Sequence, residues 1–354
     1  MSGGFDGIIG HSAVVDLLRR DLLRPSHAYL FVGPSGLGKS TVARHFAAGL
    51  LCDPDDAGCR RRALGGGHPD LILVEPDGRT SLTVDRARAT VAGAALTPVE
   101  SSRKVFLFEE AGMMSPEAAN ALLKTLEEPT ASTIFLLVAE SEDDLPSTVA
   151  SRSRVVFFGR VPDAEVVAAL EERGVDPEQA AHAARTSGGR PGLALMLATR
   201  PEVAAFRRTW LSVPGRLRPA TGEAFRLAES VVAASEPLLA SLEERQEAEM
   251  GDAVDAAAVR LLKERHERER RRAASSLFLT GLEMLASWYR DAAAAQLGAA
   301  PRNRDLAGAD LVSVAPAAAV ACAQRVMATA ASLGANQRPE LALTALFADL
   351  ATTT

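Results

Sequence analysis

The 354-residue chain is poor in aromatic rings: 12 Phe, 2 Trp and 2 Tyr make up 5% of it, while apolar residues reach 47%. Alanine, leucine and valine carry the difference, which points to helices packed on small side chains around one sheet. Cysteine is as scarce. Cys52, Cys59 and Cys322 cannot build a disulfide framework, which fits a reducing compartment. No run of about 18 apolar residues occurs, and the opening MSGGFDG lacks the charged-then-apolar order of a signal peptide. Cytoplasm is therefore the expected location, with no membrane role. There is no surplus of positive charge either. A formal charge of −6 argues against a surface coated for nucleic acid, while leaving room for a local basic patch. The length exceeds one ordinary core and predicts two or three domains.

What is present begins with FVGPSGLGKST at Phe31–Thr41, a phosphate-binding loop with Gly33, Gly38, Lys39 and Ser40 at the G-x-x-x-x-G-K-[ST] spacing. The apolar run Ala28–Val32 feeds it, and Val42, Ala43, Phe46, Ala47 and Leu50 follow it at helical spacing. The expected nucleotide-binding set is Gly33, Pro34, Ser35, Gly36, Leu37, Gly38, Lys39, Ser40 and Thr41. Backbone N–H groups would face phosphate, Lys39 would reach the β/γ-phosphates, and Ser40 would hold Mg²⁺.

Further short apolar runs, Leu71–Val74, Lys104–Phe108, Thr133–Val138 and Val155–Phe158, alternate with helical patterns and predict a parallel sheet covered on both faces. Ser115 and Pro116 open a helix with Ala119, Leu122, Leu123 and Leu126 on one face. At the end of the third run stand Glu109 and Glu110. The first acid of such a pair supports Mg²⁺ and the second polarises the attacking water. Glu109 is one methylene longer than the usual Asp, and Glu110 stands in the expected place as a water-polarising acid. Beyond Pro162 the strand signals fade into short helices at Asp163–Leu170 and Pro177–Thr186. After about Arg200 nearly everything reads as helix, including a long candidate from Arg260 to Leu297 and a final pair at Pro316–Leu333 and Arg338–Leu350.

GPSGLGKST, HPD (His68–Asp70), AANALLKTLEEP (Ala118–Pro129) and LPSTVASRS (Leu145–Ser153), in this order, resemble the bacterial clamp-loader AAA+ family of DNA polymerase III, most of all its delta-prime branch. WYRD (Trp288–Asp291) and NQRPELALTALFADL (Asn336–Leu350) extend the likeness toward the C-terminus. The resemblance implies a doubly wound α/β AAA+ module over 1–160, a helical lid over 161–205 and an all-helical collar over 206–354. It also implies that Arg152, in the place of the family's S-R-C arginine, enters the ATP site of a neighbouring subunit. An arginine so delivered is worth about 10³–10⁵ in rate. Arg154 is its rival if the strand register differs. Implied partners are the gamma/tau motor subunits, the delta subunit, the sliding clamp and primer–template DNA, in a hetero-oligomer that closes the clamp on DNA during replication. The chain would belong to the polymerase III holoenzyme and carries no polymerase site of its own.

Against the working-motor pattern of that family, the polar sensor of the fourth strand falls at Ala139–Glu140. The lid's sensor arginine falls at Gly192, with Arg190 two places early. With Glu109, these departures suit a frame that holds ATP or ADP without turning it over. The alternative is a self-sufficient gamma/tau-type motor; a small-molecule kinase would need neither the helical C-terminal part nor S-R-S. Related subunits often carry four cysteines where this chain has only Cys52 and Cys59. With His68 as a conceivable third ligand and no fourth, the expectation is no zinc and no Cys52–Cys59 bridge. In the charged run Arg260–Arg272, acids interleave with bases, Glu264–Arg268 among them, so a solvated helix face is expected. Trp288 and Tyr289 are expected to pack, with Arg290 and Asp291 at a subunit or domain contact and Cys322 in the core.

Overall fold

The computed structural model describes residues 4–76, 81–251, 256–301, 303, 306, 311–333 and 338–353. They divide into two compact units, Met1–Ala198 and Thr199–Thr354.

The first unit is built on five parallel strands: β1 (Ala28–Val32), β2 (Leu71–Leu73), β3 (Lys104–Phe108), β4 (Thr133–Ala139) and β5 (Arg154–Phe157), in the order β2-β3-β4-β1-β5. Around them lie α1 (Ser12–Asp21), α2 (Lys39–Leu51), α3 (Ala57–Leu64), α4 (Val84–Ala94), α5 (Pro116–Glu127) and the single turn α6 (Ser147–Ala150). Every residue of β1 is buried, because the strand is paired on both edges and covered on both faces. Its alternation divides the core in two. Tyr29 and Phe31 pack with Val42 and Phe46 of α2, while Leu30 and Val32 pack with the cluster that holds Leu122 and Leu126 of α5. This is the doubly wound sheet expected from the sequence. The start of α5 also follows the expected chemistry: the Ala118 N–H donates to Ser115 Oγ at 3.1 Å, and Pro116 fills the first turn. The fifth strand begins one residue earlier than its apolar run, at Arg154.

Behind β5, the segment 158–161 leads to α7 (Asp163–Glu171), α8 (Pro177–Ser187) and α9 (Pro191–Thr199), which share a small core of Val161, Val166, Leu170, Ala180, Ala184 and Ala194. This connecting strap is gripped at both ends. The Phe158 N–H donates to Val32 O at 2.7 Å, and the Val161 N–H to Gly189 O at 3.0 Å. It also runs so near the backbone that a Cβ at Gly33 would meet the Phe158 carbonyl, and one at Gly10 would meet the Val161 side chain.

Asp70 anchors the opposite side of the sheet. It is fully buried before β2, and its carboxylate accepts the N–H groups of Val99, Glu100 and Ser101 at 2.6, 2.8 and 2.8 Å. Burial alone would raise its pKa; the N–H bonds from Ser101, Val99 and Glu100 outweigh that and hold the carboxyl below its usual range.

The second unit is helical: α10 (Pro201–Arg216), α11 (Glu223–Ala233), α12 (Glu236–Gly251), α13 (Ala256–Gln296), α14 (Pro316–Leu333) and α15 (Pro339–Thr353). Trp210 of α10 is wholly buried against α13 at Gly281, where a Cβ would fall inside the indole ring. Trp288, Tyr289 and Cys322 are buried as expected, and burial pushes the Cys322 thiol up. Asp291 departs from expectation. Instead of lying at a contact surface, it is 1% exposed and accepts the Asn303 N–H at 2.8 Å and Asn303 Nδ2 at 2.7 Å, while Arg207 Nη2 donates to Asn303 Oδ1 at 2.8 Å. Arg290 pairs with the same carboxylate at 2.7 Å. A carboxylate beside two aromatics on one helix is used here to fasten a loop from within. In the charged run, Arg270 pairs with Glu243 at 2.8 Å and Arg271 with Glu267, as on a solvated face. The side chains of Glu264 and Arg268, and residue Asn336, lie outside the described residues.

Two predictions follow from these anchors. A carboxyl with a lowered folded pKa stabilises the protein above its unfolded pKa of about 3.9 and loses that contribution as pH falls through the folded value. Asp70→Asn is therefore expected to cost about 2 kcal/mol near pH 7 in urea denaturation. The gap to wild type should narrow below about pH 4; a constant gap at all pH values would mean the charge is irrelevant. Gly281→Ala is expected to lower stability by roughly 1–3 kcal/mol through overpacking against Trp210, despite the ~1 kcal/mol helix-propensity gain of alanine. An unchanged or raised melting temperature would contradict this packing.

Candidate functional site

The glycine loop joins β1 to α2 at the carboxyl edge of the sheet. Pro34, Ser35, Gly36 and Thr41 are exposed, Gly33, Gly38 and Ser40 half-buried, and Leu37 and Lys39 buried. The Gly33 N–H donates to Glu140 O at 3.1 Å, tying the loop to the end of β4. Gly38 precedes α2 with φ 85°, and no side chain caps the helix. Its first N–H groups and the helix dipole make an anion site. The Lys39 ammonium donates to the loop's own carbonyls, Gly33 O at 2.5 Å and Pro34 O at 2.8 Å. Burial lowers its pKa, partly opposed by Glu140 and Asp144. To meet a phosphate it has to exchange these carbonyls for phosphate oxygens.

The positions expected to depart from a working-motor pattern lie around the loop. Ala139 ends β4 directly beside Val32, so a methyl group stands next to the loop strand. The Gly192 position faces open space, whereas Arg190 lies over the loop, its Cδ 3.0 Å from where a Cβ on Gly36 would be. Arg190 Nε donates to Ser187 O at 3.0 Å. Glu109 and Glu110 stand half-buried at the end of β3, and Glu110 leads into a 3₁₀ turn at Ala111–Met113. Both Glu109 oxygens are taken by Arg44 of α2, at 2.6 Å from Nε and 2.8 Å from Nη2. A Mg²⁺ ion needs an oxygen shell in near-ideal octahedral geometry. The expected role of Glu109 in supporting Mg²⁺ beside Ser40 competes with this pair, because both carboxylate oxygens already accept from Arg44.

Two residues here were not singled out in the sequence. The signal for Arg44 in the sequence is a spacing of four from Ser40, which puts both on one helix face. His11 has φ 56° at the start of α1, and its Nε2 lies 2.8 Å from Leu37 O. Its ring meets Phe158 edge-on at 4.9 Å, and burial lowers its pKa.

Arg152 and Arg154 are separated by their partners. Arg154 Nη1 lies 3.0 Å from Oδ2 of the buried Asp21, which also accepts the Tyr29 hydroxyl at 3.0 Å, so it belongs to the packing of β5 on α1. Arg152 follows α6 on the surface. Nη2 pairs with Glu127 at 2.5 Å, and Nη1 donates to Thr148 O at 2.9 Å. Both members of the Arg152–Glu127 pair are at least one third exposed, so the pair contributes at most about 1 kcal/mol.

The cysteine expectation is overturned. Cys52 and Cys59 are joined in a disulfide, with Cα atoms 5.7 Å apart. Cys52 ends α2, the turn through Asp53–Asp56 reverses the chain, and Asp56 caps α3 by accepting the Cys59 N–H at 2.8 Å. The compartment argument ignored this hairpin geometry. His68 lies with the two sulfurs in a buried group whose ligand atoms are within 4.8 Å of one another. A structural zinc site takes four ligands. Three donors, two of them bonded to each other, do not fit it.

A family model described as DNA polymerase III, delta subunit, matches residues 10–162. Over these residues, less than half of the chain, it resembles that family. The chain is also similar to subunit delta' of DNA polymerase III from Pseudomonas aeruginosa, 42% identical over 135 residues, 36% of this chain and 41% of that one. Subunit delta' from Bacillus subtilis is 36% identical over 164 residues, 44% of this chain and 49% of that one. Subunit tau from the same organism is 34% identical over 184 residues, 49% of this chain and 32% of that one. The chain thus spans less than half the length of these relatives. Among the described residues, no helix is long and apolar enough to cross a membrane.

Thiol titration of the denatured, unreduced chain tests the bridge. One free thiol, Cys322, is expected without reductant and three with it; three in both conditions would remove the disulfide.

Proposed function

We propose that this chain is a delta-prime-type frame subunit of a bacterial clamp loader, acting in the cytoplasm during DNA replication. It presents Arg152 to an ATP bound on a gamma/tau-type motor neighbour. Its lid, residues 161–205, and collar, residues 206–354, hold it in a ring with the motor and delta subunits, which act together on the sliding clamp and primer–template DNA.

The observation that carries this reading is the contrast between the two arginines after α6. Arg154 is anchored to a buried carboxylate, whereas Arg152 rests in an exposed pair. A guanidinium held by about 1 kcal/mol or less is readily exchanged for a γ-phosphate, where a trans arginine stabilises the charge of the transition state. The chain's own loop points the other way. Lys39 is turned onto loop carbonyls, Glu109 is engaged by Arg44, and Ala139 offers no hydroxyl, so ATP or ADP is held there without turnover. The match to a tau subunit favours a second reading, in which Glu110 polarises water and the chain is itself an engine.

The two readings separate in clamp- and primed-DNA-stimulated ATP hydrolysis by the reconstituted loader. Arg152→Ala is expected to reduce the rate by a hundredfold or more with assembly intact, while Lys39→Ala leaves it nearly unchanged. If Lys39→Ala abolishes hydrolysis and Arg152→Ala does not, the chain is an engine and the frame reading fails.

A further inference from the structure

We infer that Arg44 is a specificity-determining residue of the loop: by holding Glu109 it takes the place of Mg²⁺, so the site accepts a nucleoside di- or triphosphate free of metal. The inference rests on the reading that the loop holds a nucleotide, and it deepens that reading by naming the ligand's form.

The argument starts from helix spacing. Ser40 and Arg44 are four residues apart on α2 and share a face, with Arg44 one turn further from the loop. Glu109 leaves the end of β3 toward the same face. Its extra methylene, compared with aspartate, lets the carboxylate meet the guanidinium in a two-pronged pair, 2.6 Å from Nε and 2.8 Å from Nη2. The Arg44 side chain also reaches the α3 end, with Nη1 3.4 Å from Leu64 O. The pair is about three-quarters buried, with side-chain exposures of 29% and 27%. Such forked pairs are directional and stronger than neutral hydrogen bonds.

Two consequences exclude the metal. A carboxylate engaged on both oxygens has to share or give up the arginine's bonds before it can order a Mg²⁺ water shell. Releasing it would then forfeit the forked pair in a partly buried place and set a guanidinium beside a dication, and both terms oppose metal entry. The arginine meanwhile brings a permanent positive charge to the same region, since its guanidinium does not deprotonate in proteins. The loop N–H groups, the α2 N-terminus and Lys39 remain to bind phosphate, and none of them needs a metal.

The test is equilibrium binding of ADP and ATP to the full chain by calorimetry, in EDTA and in excess Mg²⁺. Wild type is expected to bind with dissociation constants within threefold of each other in the two conditions. Arg44→Met, which keeps the apolar stem, is expected to bind at least tenfold more tightly with Mg²⁺ than without. Adding Glu109→Gln to that variant should erase the gain. Arg44→Lys, which keeps the charge but loses the fork, should gain an intermediate dependence and carries the test if Arg44→Met does not fold. Wild type binding tenfold tighter with Mg²⁺, or an Arg44→Met ratio equal to wild type, overturns the lock while leaving nucleotide binding in place. Absence of binding by every variant in both conditions removes the nucleotide reading, and the lock with it.

Discussion

The carboxyl edge of the first unit depends on the burial of one strand. β1 lies between β4 and β5 and is covered on both faces, so its five residues have no freedom to shift. A slip of one residue would exchange Tyr29 and Phe31 with Leu30 and Val32 between two separately packed cores. The loop that leaves β1 is therefore placed to within the tolerance of the core. So are its two neighbours, the Glu140 carbonyl that receives the Gly33 N–H and the Phe158 carbonyl that lies against Gly33.

On this fixed edge, charges are arranged in two different ways. Around the loop they are mutually satisfied: Lys39 with carbonyls, Glu109 with Arg44, Arg190 with Ser187 O. At the turn after α6, Arg152 is held by contacts that water and salt weaken. The first arrangement favours a state that stays as it is, and the second a side chain that changes partner.

Much of the sheet could be read in the sequence because buried parallel strands are apolar at nearly every residue, and KVFLF and TIFLLV state this directly. The long helix and the final helix pair were legible for a related reason, since alanine-rich stretches with no proline past the first turn have few alternatives to helix. What could not be read was set by contacts distant in sequence. The Arg44–Glu109 pair spans 65 residues and the Arg154–Asp21 pair joins a strand to a helix far upstream, so neither leaves a local pattern. Asp291 was expected at a subunit or domain contact, yet it is buried and bonded to Asn303, twelve residues away. The disulfide was misjudged for the converse reason: a chemical expectation about the compartment was placed above the reach of a short helical hairpin.

The strap from Phe158 to Val161 has a mechanical consequence. It is hydrogen-bonded to β1 at one end and to the Gly189 turn at the other, with the Phe158 carbonyl against Gly33 and the Val161 side chain against Gly10. A short, taut segment held in this way has no slack to absorb a rotation. Any tilt of α7–α9 is conveyed to the phosphate loop as a displacement of Gly33, and any widening of the loop pries the three helices in return. Loop and helices thus behave as the two arms of one rocker, with the strap as its pivot.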